Sequence, residues 1–283
     1  MPLSPSSSAQ SARETIAKRL KALQQEAGLT GHDLALRTGF SESKVSRIAA
    51  AKTPPSADDI QRWCAACAAD DGEAADLVAA SRAADEMYVQ WKRLHRTGMK
   101  HAQDAILPQF ENSRHIRMYC SNVMPGIVQR REYARALMGT ITAFQNTPND
   151  VDAAVDSRLR RDRYLHQGNC TFAFVLEETV LYYPLGDAAA MADQLRHLLD
   201  IMALPRVSLG VIPFRAPRAM WPLEAFYMFD DRQVDAELLT AIVKITAPGE
   251  IAAYSKAFKI LSGMAVHGSA ARTLIEQAIR ALG

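Results

Sequence analysis

A chain of 283 residues with 48% hydrophobic and 23% charged side chains has the length for two cores, and its composition excludes a largely disordered polymer. Its formal net charge of +2 does not advertise a polyanionic partner, so a nucleic-acid role has to rest on a local surface and a motif. No apolar run reaches the roughly 18 residues a membrane helix needs, and the opening MPLSPSSSAQSA lacks a basic stretch followed by an apolar core, which predicts a cytoplasmic protein with no membrane partner.

Residues 1–12, rich in proline and serine, are expected to form a disordered arm. From Arg13 the pattern becomes helical: Ile16, Leu20, Leu23 and Ala27 recur on one face until Gly28 stops the run. Thr30 is placed to cap a short second helix with Leu34 and Ala35 inward, and Gly39 to supply a left-handed turn. Ser41 caps the next helix, whose inward positions are Val45 and Ile48. Pro54 and Pro55 forbid continuation beyond Lys52, and Ser56, followed by Asp58 and Asp59, starts a fourth helix. Cys64 and Cys67 fall inside that helix without a second cysteine or histidine pair, so they are expected to be small buried hydrophobes, and no metal or other cofactor is called for.

Two short helices joined at a glycine, the second capped by serine and followed by a basic loop, are what a helix-turn-helix requires. The stretch GLTGHDLALRTGFSESKVSRIAAAKTPPS resembles the Xre/Cro type of bacterial helix-turn-helix, matching at Gly28, Leu29, Thr30, Leu34, Ala35, Gly39, Ser41, Ser43, Val45, Ser46, Ile48 and Pro55. It departs at Gly31, where the family has a phosphate-gripping glutamine, at Ala49, usually glutamate, and at Ala51, usually glycine. The resemblance puts Glu42, Ser43, Lys44, Ser46 and Arg47 on the outward face of the recognition helix, with Thr30, Ser41 and Lys52 beside it. Arg47 then suits guanine, Glu42 a cytosine amino group, Ser43 several base edges and Lys44 a phosphate. For Glu42 the plainer alternative is an acid favourably seated in the first turn of a helix. Residues 13–70 carry nine Lys/Arg against seven Asp/Glu, a small excess that predicts modest nonspecific affinity and favours a homodimer presenting two such helices to double-stranded DNA.

Residues 71–105 read as a helical connector, Ala-rich and then mixed aromatic and basic through Trp91, Lys92, Arg93, His95, Arg96, Lys100 and His101. That segment suits phosphate, a ligand or solvent; the plainer expectation is a solvated helix face with Trp91 docked on a domain interface. Beyond residue 105 the pattern turns mixed. HIRMYC is a short extended run, MPGIVQRREYARALM a turn and an amphipathic helix, DAAVDSRLRRDRYLH a helix with a dense arginine face, and TFAFVLEE a buried strand. GDAAAMADQLRHLLDIMA is a helix and RVSLGVIPF a strand; EAFYMFDD and QVDAELL form two strands about a turn near Asp231 and Arg232, before two closing helices. The expected fold class is α+β: an N-terminal all-α helix-turn-helix domain over residues 13–70, then a mixed α/β domain over 106–283.

Six blocks of that second domain, among them MPGIVQRREYARAL, SRLRRDRYL and VSLGVIPF, resemble in order the C-terminal domain of a large group of Xre-type regulators described as antitoxin-like. Val128-Gln129-Arg130 and Arg161-Asp162 depart from that group's pattern at polar positions that would set ligand or partner preference. Arg158, Arg161, Glu178 and Glu237 coincide with its charged positions. Facing one cavity they would suit an anionic or zwitterionic small molecule, with Trp221 and Tyr227 as walls; the alternative is a structural ion pair of Arg158 with Glu178. No nucleophile elbow, H-E-x-x-H, phosphate-cradling glycine loop or full dinucleotide fingerprint is present, so no catalytic residue is named. The function expected is a transcriptional regulator whose second domain dimerises and holds a small-molecule effector or a small protein partner. An antitoxin-like protein-binding module and a repurposed biosynthetic enzyme with a vestigial helix-turn-helix are the alternatives.

Overall fold

A computed structural model describes residues 7–86 and 88–283, without the side chains of residues 7–9, 11, 82, 83, 85, 86, 88–90, 92 and 93. The chain divides into two compact units. The first runs up to Val89 and includes Val243–Ile245; the second comprises Gln90–Ile242 and Thr246–Gly283.

The first unit contains α1 (Ser7–Glu26), α2 (Gly31–Thr38), α3 (Glu42–Ala49), α4 (Ala57–Ala66) and α5 (Asp71–Glu86). Helix α1 begins six residues before Arg13, so residues 7–12, expected in the arm, are helical, while residues 1–6 lie outside the described residues. Nothing after Pro5 breaks a helix there, and Ala12 packs on the core. Ile16, Leu20 and Leu23 are buried at three- and four-residue spacing. Ala27, expected inward, is exposed because α1 ends at Glu26 and Gly28, at φ +66°, redirects the chain.

The fully buried indole of Trp63 donates from Nε1 to the Leu20 carbonyl at 2.9 Å, tying α4 to α1. Cys64 and Cys67 are buried in the same core, and burial pushes the Cys64 thiol up to about 11. Helix α5 belongs to this unit as well. Leu77 and Ala84 join the core, and Ser81 Oγ donates to the Pro55 carbonyl at 3.3 Å. The boundary expected at residue 70 therefore moves to the end of α5, whose 77, 81, 84 spacing provides one inward stripe.

After β1 (Tyr88–Gln90), the chain forms α6 (Trp91–Leu94), α7 (Lys100–Ala105) and α8 (Leu107–Asn112). Trp91 bonds within the second unit: Nε1 donates to the Leu238 carbonyl at 2.8 Å, and the ring stacks on buried His95. There follow β2 (His115–Cys120), a 3-10 turn at Gly126–Val128, α9 (Arg131–Gln145), α10 (Val151–Leu159), a second 3-10 turn at Arg160–Asp162, α11 (Arg163–His166), β3 (Thr171–Glu177), α12 (Ala188–Ile201), β4 (Val207–Ile212), β5 (Phe226–Phe229), β6 (Gln233–Glu237), β7 (Ala241–Ile245), α13 (Pro248–Met264), β8 (Val266–His267) and α14 (Gly268–Arg280).

The sheet places β2 at its centre, parallel to β3 and antiparallel to β5; β4 extends it in parallel, and β6 and β8 add antiparallel partners. Alternation sends Ile116, Met118, Phe172, Phe174 and Tyr227 into one core. On the opposite face Phe226 meets Tyr254 and Phe258 of α13 edge-on. The arginine-rich helix differs from expectation. It breaks at Leu159 into the 3-10 turn, so Arg158 and Arg161 turn inward, while exposed Arg160 and Arg163 pair with Asp104 and Glu111.

Candidate functional site

In the first unit, α2 and α3 are joined through Gly39, whose φ of +73° is left-handed backbone that favours glycine. Val45 and Ile48 seat α3 in the core, and on its other side Glu42, Ser43, Ser46 and Arg47 are exposed. Lys52 is exposed in the following loop, where its N–H donates to the Arg47 carbonyl at 2.8 Å. Ala51, between them, sits at φ +52°. The expected glycine position thus retains glycine's backbone while carrying a Cβ.

Four residues singled out as DNA contacts already have partners. Lys44 Nζ bonds Asp59 Oδ1 at 2.6 Å and lies 4.3 Å from the Phe40 ring centroid. Asp59 is buried and also completes a capping box with Ser56. Burial would push its carboxyl up, but the hydrogen bonds from Lys44 and Ser56 outweigh that and hold it below the usual range. Lys44, expected at a phosphate, is held here in an ion pair between α3 and α4. Glu42 lies 2.7 Å from His32 Nδ1, and this hydrogen bond raises the His32 pKa. Thr30 caps α2, and its hydroxyl donates to Asp33 Oδ2 at 2.6 Å. Ser41 caps α3 by accepting from the Lys44 N–H, which leaves its own proton out of the cap. Arg47 and Lys52 present cations, and Ser43 and Ser46 hydroxyls, around one exposed helix face.

The second unit brings four of its six predicted site residues together. Arg158 donates from Nε to Gln103 Oε1 at 3.0 Å and from Nη1 to Gln129 Oε1 at 2.6 Å. Arg161, 6% exposed, bonds the same Gln103 oxygen at 2.8 Å and the Gln103 carbonyl at 2.7 Å. Its Nε has no hydrogen-bond partner. One shared oxygen confines both guanidiniums, and their like charges repel. Burial and, for Arg161, the neighbouring Arg158 act against their charges.

Tyr227 pairs across the sheet with Asp235, so Glu237, two residues on, points to the same face. Burial raises the Glu237 carboxyl, with Arg158 opposing that shift. Glu178 and Trp221 lie elsewhere. Glu178 accepts the Phe214 N–H at 2.6 Å, and Trp221 is 68% exposed before β5. Neither the expected wall at Trp221 nor an Arg158–Glu178 pair forms, because β3 ends in a 3-10 turn that directs Glu178 to the β4 end. Gln103 was not foreseen, since a lone amide in a short helix carries no pattern; Gln129 stood among the polar departures in sequence.

The exposed helix seated on a glycine turn is the geometry of a DNA-binding regulator, and a helix-turn-helix domain model matches residues 15–77. The chain belongs to the family defined by the domain of unknown function DUF5753, whose model matches residues 109–277. None of the curated proteins compared with the chain matches it. Among the described residues no helix is long and apolar enough to cross a membrane.

Proposed function

We propose that this protein is a sequence-specific transcriptional regulator of Xre/Cro type, binding double-stranded DNA as a homodimer and holding a small-molecule effector in its second unit. The observation that carries this reading is the exposed set Ser43, Ser46 and Arg47 on a helix whose opposite side is locked by Val45 and Ile48. A rigid helix with short polar groups and one guanidinium outward can enter a major groove, where arginine takes the O6/N7 edge of guanine. Glu42 and Lys44 contribute less: both are held by partners on neighbouring helices. A small molecule is favoured over a protein partner because the polar cluster around Arg158 and Arg161 is recessed in the unit. Effector occupancy then changes the spacing of the two recognition helices and with it operator affinity.

Selection of the full-length protein on randomised duplex DNA tests this. A two-fold-symmetric site should emerge, and Arg47→Ala should weaken it by about 1–3 kcal/mol while relaxing preference at one base pair per half-site. Failure to enrich any sequence overturns the reading.

A further inference from the structure

We propose that Arg158 and Arg161, surrounded by Gln103, Gln129, Tyr227 and Glu237, form the receptor for an oxyanion carried by a small molecule, either a carboxylate or a phosphate group. This deepens the effector reading above and rests on it.

Both guanidiniums lack a paired counter-charge. Two guanidiniums share the Gln103 oxygen at 3.0 and 2.8 Å, and their remaining protein acceptors are neutral: the Gln129 carboxamide and the Gln103 carbonyl. Among the described residues no carboxylate makes an ion pair with either. The acids whose fields reach Arg161 are Glu237 and Asp104, and Asp104 is engaged by Lys100, Ser157 and Arg160. Glu237 is thus the acid that faces both cations, while buried Asp235, two residues before it on the same strand face, accepts from Gln233 Nε2 at 2.6 Å. Buried cations without counter-charges are costly, and an oxyanion supplies what the protein lacks.

Arg161 is 6% exposed and its Nε has no partner, which leaves one unused buried donor beside Nη2, whose bonds to the two Gln103 oxygens an incoming oxyanion would share or displace. A methyl group placed on Gly126 would lie 3.7 Å from both Arg158 Cζ and Arg161 Nη1, so both guanidiniums stand over the same 3-10 turn. Arg158 and Glu237 each keep some accessible surface.

Calorimetric titration and thermal melting of the full-length protein with sodium phosphate and with sodium succinate, at constant ionic strength in chloride, test the proposal. At least one probe should bind saturably and raise the Tm; which one distinguishes phosphate from carboxylate. Arg161→Gln should weaken that probe at least tenfold, Arg158→Lys should weaken it by losing the planar fork, and Glu237→Gln should tighten it several-fold. Should Arg161→Gln fail to fold, the other two variants decide. Absence of saturable binding by both probes overturns the proposal, as does binding that folded variants leave unchanged. A protein that selects a DNA site yet binds neither probe sinks this inference alone; one that binds a probe but selects no sequence sinks the regulator reading and leaves the anion site standing.

Discussion

Ala51 is the residue where local chemistry and backbone disagree most plainly. At φ +52° its Cβ crowds the following carbonyl, at a cost of roughly 1 kcal/mol that glycine avoids. Ala51→Gly is expected to stabilise the first unit by about 0.5–1 kcal/mol, less whatever chain entropy glycine adds to the unfolded state, as read from urea midpoints. Asp59 makes the opposite case, an acid that gains from its partners. Its folded pKa is depressed, so its stabilisation is present above the unfolded value near 3.8 and is lost as pH falls through the folded one. Asp59→Asn should cost about 2 kcal/mol at neutral pH, through the cap and the Lys44 bond, and should flatten the stability profile below about pH 4. Denaturation curves from pH 2 to 7 check both the size and the sign.

Among elements, α1 and α4 show how side chains choose a helix pair. Trp63 is fully buried and donates to a carbonyl of α1, so Trp63→Ala removes packing and leaves the Leu20 acceptor without its donor. A loss of about 3–5 kcal/mol is expected, measurable as a lower Tm with loss of helix-turn-helix circular dichroism, whereas Trp63→Phe should cost less. The helix starts were legible because caps are local: Thr30, Ser41 and Ser56 each bond an N–H three residues on. The central strands were legible from apolar runs. Strand β7 was not proposed, although Ala241, Val243 and Ile245 alternate as a half-buried strand would. The two-residue β8 exists only through its pairing with β4.

For the whole molecule, the small charge excess matters more than any single contact. With Lys44 committed to Asp59, Arg47 on the reading helix and Lys52 in the loop after it are exposed cations. Binding to a selected operator should therefore show a modest salt dependence, and Lys52→Ala should reduce the log–log slope by about 0.9 per protomer that touches a phosphate there. Filter-binding or anisotropy titrations across a salt series measure it. By itself the sequence determined the helix-turn-helix, its caps, its inward residues and the α+β division, because periodicity and capping depend on neighbours within a few positions. Only the tertiary structure decided that Lys44 meets Asp59, that α5 completes the first core, and that Arg158 and Arg161 turn inward toward Glu237 rather than Glu178. A buried charge takes its partner from whatever strand or turn packing brings within a few ångströms, and the chain order of residues 158, 161, 178 and 237 does not encode that distance.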